Sequence, residues 1–147
     1  MNKLIVMLLL GLSSLSVQAQ QAAKPFRAYL YNSEFDVYMR INFYDHDVTV
    51  PSQELLGPLP GFLAKQHNSF AWLITDAQVK GNKATLSLIN DYGSEDLTAT
   101  LIQKSDSLFI LKQESGSTLK VPNKGKWQKL PKTLEFKVSG VTSPARH

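Results

Sequence analysis

Phe35-Asp36-Val37-Tyr38-Met39-Arg40-Ile41-Asn42-Phe43-Tyr44 alternates without an error. Phe35, Val37, Met39, Ile41 and Phe43 fall on one side of the run, and Asp36, Tyr38, Arg40, Asn42 and Tyr44 on the other. A period of two puts successive side chains on opposite faces of a pleated strand. Just upstream, Phe26, Ala28 and Leu30 keep the same rhythm. A turn centred on Ser33-Glu34 makes the two runs a hairpin. Pairing Asn32 with Phe35 sets Leu30 across from Val37, Ala28 across from Met39 and Phe26 across from Ile41. A slip of one residue would turn an apolar set outward, so the loop has two or four residues. On the outer face the same register sets Arg27 opposite Arg40, Tyr29 opposite Tyr38 and Tyr31 opposite Asp36.

Downstream, turn residues recur about every ten positions: Gly81-Asn82, Asp91-Tyr92-Gly93-Ser94, Lys104 to Ser107, and Glu114-Ser115-Gly116-Ser117. Each separates short runs rich in β-branched and aliphatic residues. Pairing Leu88 with Leu97 puts Leu86 opposite Ala99 and Ala84 opposite Leu101, again one apolar face. In the run Phe70 to Val79 the apolar phase slips from even to odd positions, which a β-bulge near Thr75-Asp76 absorbs. Leu134, Phe136 and Val138 form the last strand. The chain is therefore expected to be all-β, an antiparallel meander of eight to nine strands. Its hairpin-short connections favour an up-and-down barrel, lipocalin-like in architecture only, over a two-sheet sandwich with Greek-key crossings.

The segment Pro51 to Asn68 breaks the pattern. It holds three prolines and two glycines together with Leu55, Leu56, Leu59, Phe62 and Leu63. Read alone, Gly61 to His67 forms a short helix after Pro60, and the leucines either cap the barrel bottom or act as a lid over a ligand.

Met1-Asn2-Lys3 carries one positive charge, Leu4 to Leu10 is unbroken hydrocarbon, and Val17-Gln18-Ala19 has the small-residue spacing of a cleavage site. These features predict a secretory signal peptide over Met1–Ala19, a single domain over Gln20–Gly140 and a loose tail over Val141–His147. The expected location is periplasmic or secreted, in or beyond a bacterial envelope. No other apolar run approaches the length of a membrane span, so no transmembrane segment is expected. Cysteine is absent, which excludes disulfides, thiolate metal sites, cysteine nucleophiles and an N-terminal lipid-anchoring Cys.

Charge is unevenly placed. Gln20 to Leu111 has a net charge of −3, and Lys112 to His147 has +6. A basic quarter of this kind suits anionic polysaccharide, lipid headgroups or an acidic protein, with peripheral contact to the envelope open to it. Nucleic acid is not an expected partner for an exported chain. Within that quarter Lys120, Lys124, Lys126, Lys129 and Lys132 surround Trp127. Lysines interleaved with an aromatic ring make a binding surface, and Trp127 and Lys126 are its candidate contacts.

The second candidate surface is the outer face of the first hairpin: Arg27, Tyr29, Tyr38 and Arg40. Like charges directly opposed across a ladder need something negative between them, a neighbouring carboxylate or a ligand. Guanidinium forks bind oxyanions bidentately and tyrosines supply flat contact area.

Signals for catalysis are weak. Asp45-His46-Asp47 has metal-ligand chemistry, but adjacent strand residues point apart, and Asp-rich turn formation accounts for them. Asn90 to Asp96 concentrates oxygens but lacks the spacing of a calcium loop. No Gly-x-Ser-x-Gly elbow occurs and no Ser-x-x-Lys pairing has a supporting context. The expectation is a non-enzymatic binding protein with no cofactor or metal. It would bind a protein, as an inhibitor or immunity protein does, or a small apolar or anionic ligand. The alternative is a small hydrolase acting on glycan or peptide.

Overall fold

The computed structural model describes residues 24–139; the expected leader, Met1–Ala19, and tail, Val141–His147, lie outside them. Ten strands follow one another: β1 (Arg27–Asn32), β2 (Val37–Asn42), β3 (Gly61–Lys65), β4 (Ala71–Lys80), β5 (Lys83–Asn90), β6 (Asp96–Gln103), β7 (Leu108–Gly116), β8 (Lys120–Asn123), β9 (Lys126–Lys129) and β10 (Thr133–Val138). Eight close into an antiparallel barrel in the order β1-β10-β7-β6-β5-β4-β3-β2, and β8-β9 forms a separate two-stranded hairpin. The meander is interrupted once, where that hairpin is inserted between β7 and β10. Closure leaves the eight wall strands with no free edge.

The β5-β6 pairing is the one expected from the sequence, with Leu88 facing Leu97, Leu86 facing Ala99 and Ala84 facing Leu101. The slip in β4 is a register shift between Ile74 and Asp76. The first hairpin differs from expectation. Asn32 pairs with Val37, Leu30 with Met39 and Ala28 with Ile41, so the loop is Ser33–Asp36 and every pairing moves by two residues. Both registers keep the apolar face inward. The longer loop prevails because Asn32 holds it: its Oδ1 accepts from the Phe35 N–H at 2.8 Å and its Nδ2 donates to Glu135 O at 2.8 Å. Asp36 closes the turn at φ 55°.

Glu114–Gly116, expected as a turn, extends β7 instead. A register shift between Thr98 and Ala99 passes over Glu114 and lets Ser115 and Gly116 rejoin β6. Gly116 sits at φ +92°, and a Cβ there would lie 2.6 Å from Asp96 O. That closeness is why the bulged strand ends in glycine.

The barrel is filled by its own side chains. Trp72, Leu30, Met39, Leu63, Ile74, Leu86, Leu88, Leu101 and Phe136 are fully buried and belong to one cluster. Phe26 stacks on Phe43 at 5.7 Å and meets Phe109 edge-on at 5.8 Å, closing the far end. The opposite end is capped by the β8-β9 hairpin, whose Val121, with Leu119 and Leu130 on either side of the hairpin, drops into the same cluster. Ala77, Ala84 and Ala99 also face inward, buried among these larger neighbours. Inward side chains with essentially no accessible surface leave little space for a guest.

A second, smaller cluster lies outside the wall. Residues 43–60 form a strap over the outer face of the sheet. Val48 and Val50 there pack with Tyr38, Phe62, Ala64, Ala71 and Leu73, and Val48 and Leu59 exchange both backbone hydrogen bonds. This cover explains why Gly61–Lys65 reads as a helix in sequence yet forms β3: it is apolar on both faces because both are buried. Phe62 and Leu63 are therefore wall residues, one facing the strap and one the interior, and not part of a lid.

Candidate functional site

The strap changes the first candidate surface. Tyr38, expected in solvent, is buried under the strap with its ring edge-on to Phe62 at 5.6 Å. The two-residue register change sets Arg27 opposite Asn42 and Arg40 opposite Tyr29, so the arginines are not opposed and need no counter-charge between them. The Arg40 guanidinium lies over the Tyr29 ring, 5.5 Å from its centre. Arg27, Tyr29 and Arg40 do line one recess of about 260 Å³, which they share with Asn42, Asp47 and Val48. Among the described residues neither guanidinium is within ion-pair distance of a carboxylate.

Tyr31 faces Tyr38 in the ladder, and its hydroxyl donates to Asp36 Oδ1 at 2.6 Å. This bond, followed by desolvation and the Asp36 charge, raises the Tyr31 phenol above its ordinary value. Burial raises Tyr38 as well, and the Arg40 charge opposes it. A phenol held protonated by the fold binds more protons than the unfolded chain does above about pH 10. Its stabilisation is present below that pH and is lost as pH rises through the raised native value. Tyr31→Phe should therefore lose less stability between about pH 9.5 and 11.5 than the parent. Urea midpoints across that range check this, and parallel pH slopes for the two proteins would contradict it. Tyr38 keeps its share in both.

The second candidate surface lies at the capped end. Trp127 is 49 % exposed on β9 and Tyr92 is 74 % exposed in the β5-β6 turn. Between them Phe70, buried just before β4, holds Trp127 edge-on at 4.9 Å and Tyr92 at 5.8 Å. Phe70 itself stands edge-on to Trp72 at 6.3 Å, so the exposed rings rest on the core. Lys120 Nζ lies 5.5 Å from the Trp127 ring centre and 3.2 Å from Glu95 Oε2. Lys124, Lys126 and Lys129 stand exposed on the hairpin.

The strap tip reaches the same end. Gln53 Nε2 donates to Asp91 Oδ1, beside Tyr92. Directly after Gln53 comes a single 3₁₀ turn, Glu54–Leu56, with Leu55 104 % and Leu56 51 % exposed. Of the five apolar residues expected in a lid, these two alone protrude. Leu59 is partly buried against the outer cluster.

The remaining polar clusters build turns. Asn42 Nδ2 donates to Asp45 Oδ2 at 3.1 Å and Asp47 Oδ1 at 2.9 Å, and His46 Nε2 lies 3.1 Å from Phe43 O. Asn90 Oδ1 accepts from the Ser94 and Glu95 N–H groups. Among the described residues no three His, Asp or Glu side chains converge as an ion would require. Phe70 and Tyr92 escape sequence reasoning because separate turns supply them; their signal is aromatic residues at turn edges, visible only once the barrel aligns those turns.

No family model, curated protein or solved structure matches this chain.

Proposed function

We propose that this chain is an exported, non-enzymatic binding protein that engages another macromolecule through the capped end of its barrel rather than carrying a ligand inside it. The observation that carries this reading is the aromatic pair Trp127 and Tyr92, exposed to solvent and held on the buried ring of Phe70. Rings fixed in this way offer contact area at little entropic cost, and Trp and Tyr are enriched among residues that dominate binding energy. The packed interior favours surface engagement over carriage. The leader-like Met1–Ala19 supports export.

Photo-crosslinking in the living host tests this. A photoreactive residue at position 127 or 92 should give adducts, and one at Val79, exposed at the far end of β4, should not. Equal labelling from all three positions, or a small molecule found inside the barrel by native mass spectrometry, would count against the proposal.

A further inference from the structure

We infer that the capped end docks on an anionic lipid bilayer, with the β8-β9 hairpin and the strap tip lying in the headgroup layer; this rests on reading that end as the binding surface. Two features select this occupant. The first is charge. Lys120 to Lys132 contains five lysines and no acidic residue. Of the acids at this end, Glu95 is paired with Lys120 at 3.2 Å, whereas Glu54 and Asp91 accept from neutral donors, the Ser52 N–H and the Gln53 amide, and keep their charge. Asp96, Glu34 and Glu114 are exposed as well, so the cationic surface is the hairpin itself and not the whole end of the barrel. Lys124, Lys126 and Lys129 remain as an outward cationic set, which anionic headgroups attract over roughly a Debye length.

The second feature is the kind of apolar surface. Sugars and nucleobases stack on rings but gain little from aliphatic groups. Here Leu55 and Leu56 protrude into water from the strap tip that Gln53 ties to Asp91, the neighbour of Tyr92, and Phe70 in turn joins Tyr92 to Trp127. Leucines immerse at the boundary between acyl chains and headgroups, while Trp and Tyr lie at headgroup level and lysines on the polar side. Rings, leucines and lysines together match that layered solvent.

The chain carries its own reporter. Of its two tryptophans, Trp72 is fully buried and Trp127 is half exposed, so a change in emission on binding comes from Trp127. Full-length protein is titrated with vesicles of phosphatidylcholine alone or mixed with phosphatidylglycerol, some carrying brominated chains. The mixed vesicles should bind the protein, shift its emission to the blue and quench it through the bromines. Lys126→Glu/Lys129→Glu should weaken binding at least about tenfold. Leu55→Ser/Leu56→Ser, at positions outside both buried clusters, should remove the bromine quenching.

Equal affinity for both vesicle types, or binding that ignores both variants, overturns the inference; the latter assigns the membrane contact to the apolar run Leu4–Leu10, present in every variant. Protein adducts from position 127 with no vesicle binding would leave the capped-end surface standing and make its occupant an acidic protein.

Discussion

Trp72→Ala is expected to cost about 3–5 kcal/mol and to open a cavity that takes up small apolar molecules. Trp72 has no exposed surface, and its indole N–H donates to Lys120 O at 2.8 Å, joining the barrel core to the capping hairpin. The substitution removes a large ring from a close-packed interior, where neighbours collapse only partly into the space. It also leaves the Lys120 carbonyl without its indole donor, adding a further cost of order 1 kcal/mol. Domains of this size are stable by roughly 5–15 kcal/mol, so the variant should fold but melt much earlier. Urea denaturation gives the first number. Benzene or indole should raise the midpoint of the variant and leave that of the parent unchanged. A parent equally stabilised by such probes would mean that its barrel already has room for a guest, and the surface-binding reading would lose its main support.

How far the sequence discloses this molecule depends on which interactions are local. The wall strands and their closure follow from alternation and from turn residues at short intervals, properties of neighbouring positions. The first register is different. Loops of two and four residues preserve the same inward face, and the choice rests on Asn32 reaching Glu135 O in a strand more than a hundred residues away. The strap obscures a larger part. Alternation in β2 suggests a solvent-facing Tyr38 because one strand cannot reveal that Val48 and Val50 will cover its outer side. The same cover makes β3 apolar on both faces and disguises it as a helix.

The candidate surfaces divide along the same line. Trp127 and its lysines lie together in sequence and are found at once. Phe70, Tyr92 and Leu55 come from three separate connections, and only the assembled barrel brings them to one end. Arg27, Tyr29 and Arg40 remain neighbours in a recess, but the correct register removes the like-charge opposition that singled them out.

Gln113→Leu should loosen the cap more than the wall. Gln113 is buried in β7, and its amide joins both roots of the hairpin insertion: Nε2 donates to Pro131 O at 2.9 Å and Oε1 accepts from the Leu119 N–H at 2.7 Å. Leucine has similar volume but neither polar group, so a donor and an acceptor each lose their partner. Stranding each costs about 1–3 kcal/mol, which places the expected loss near 2–6 kcal/mol. The Leu119, Val121 and Leu130 side chains still anchor the hairpin in the core, so the cap should open transiently rather than detach. Amides of Leu119 and of β8 and β9 should then exchange at least roughly thirtyfold faster, while those of β5 and β6 change less. Since Trp127 rides on this hairpin, lipid or partner binding should weaken in the same variant although residue 113 lies beneath the surface. Uniform loss of protection across cap and wall would instead make them one cooperative unit, and the capped end could not be tuned independently of the barrel it closes.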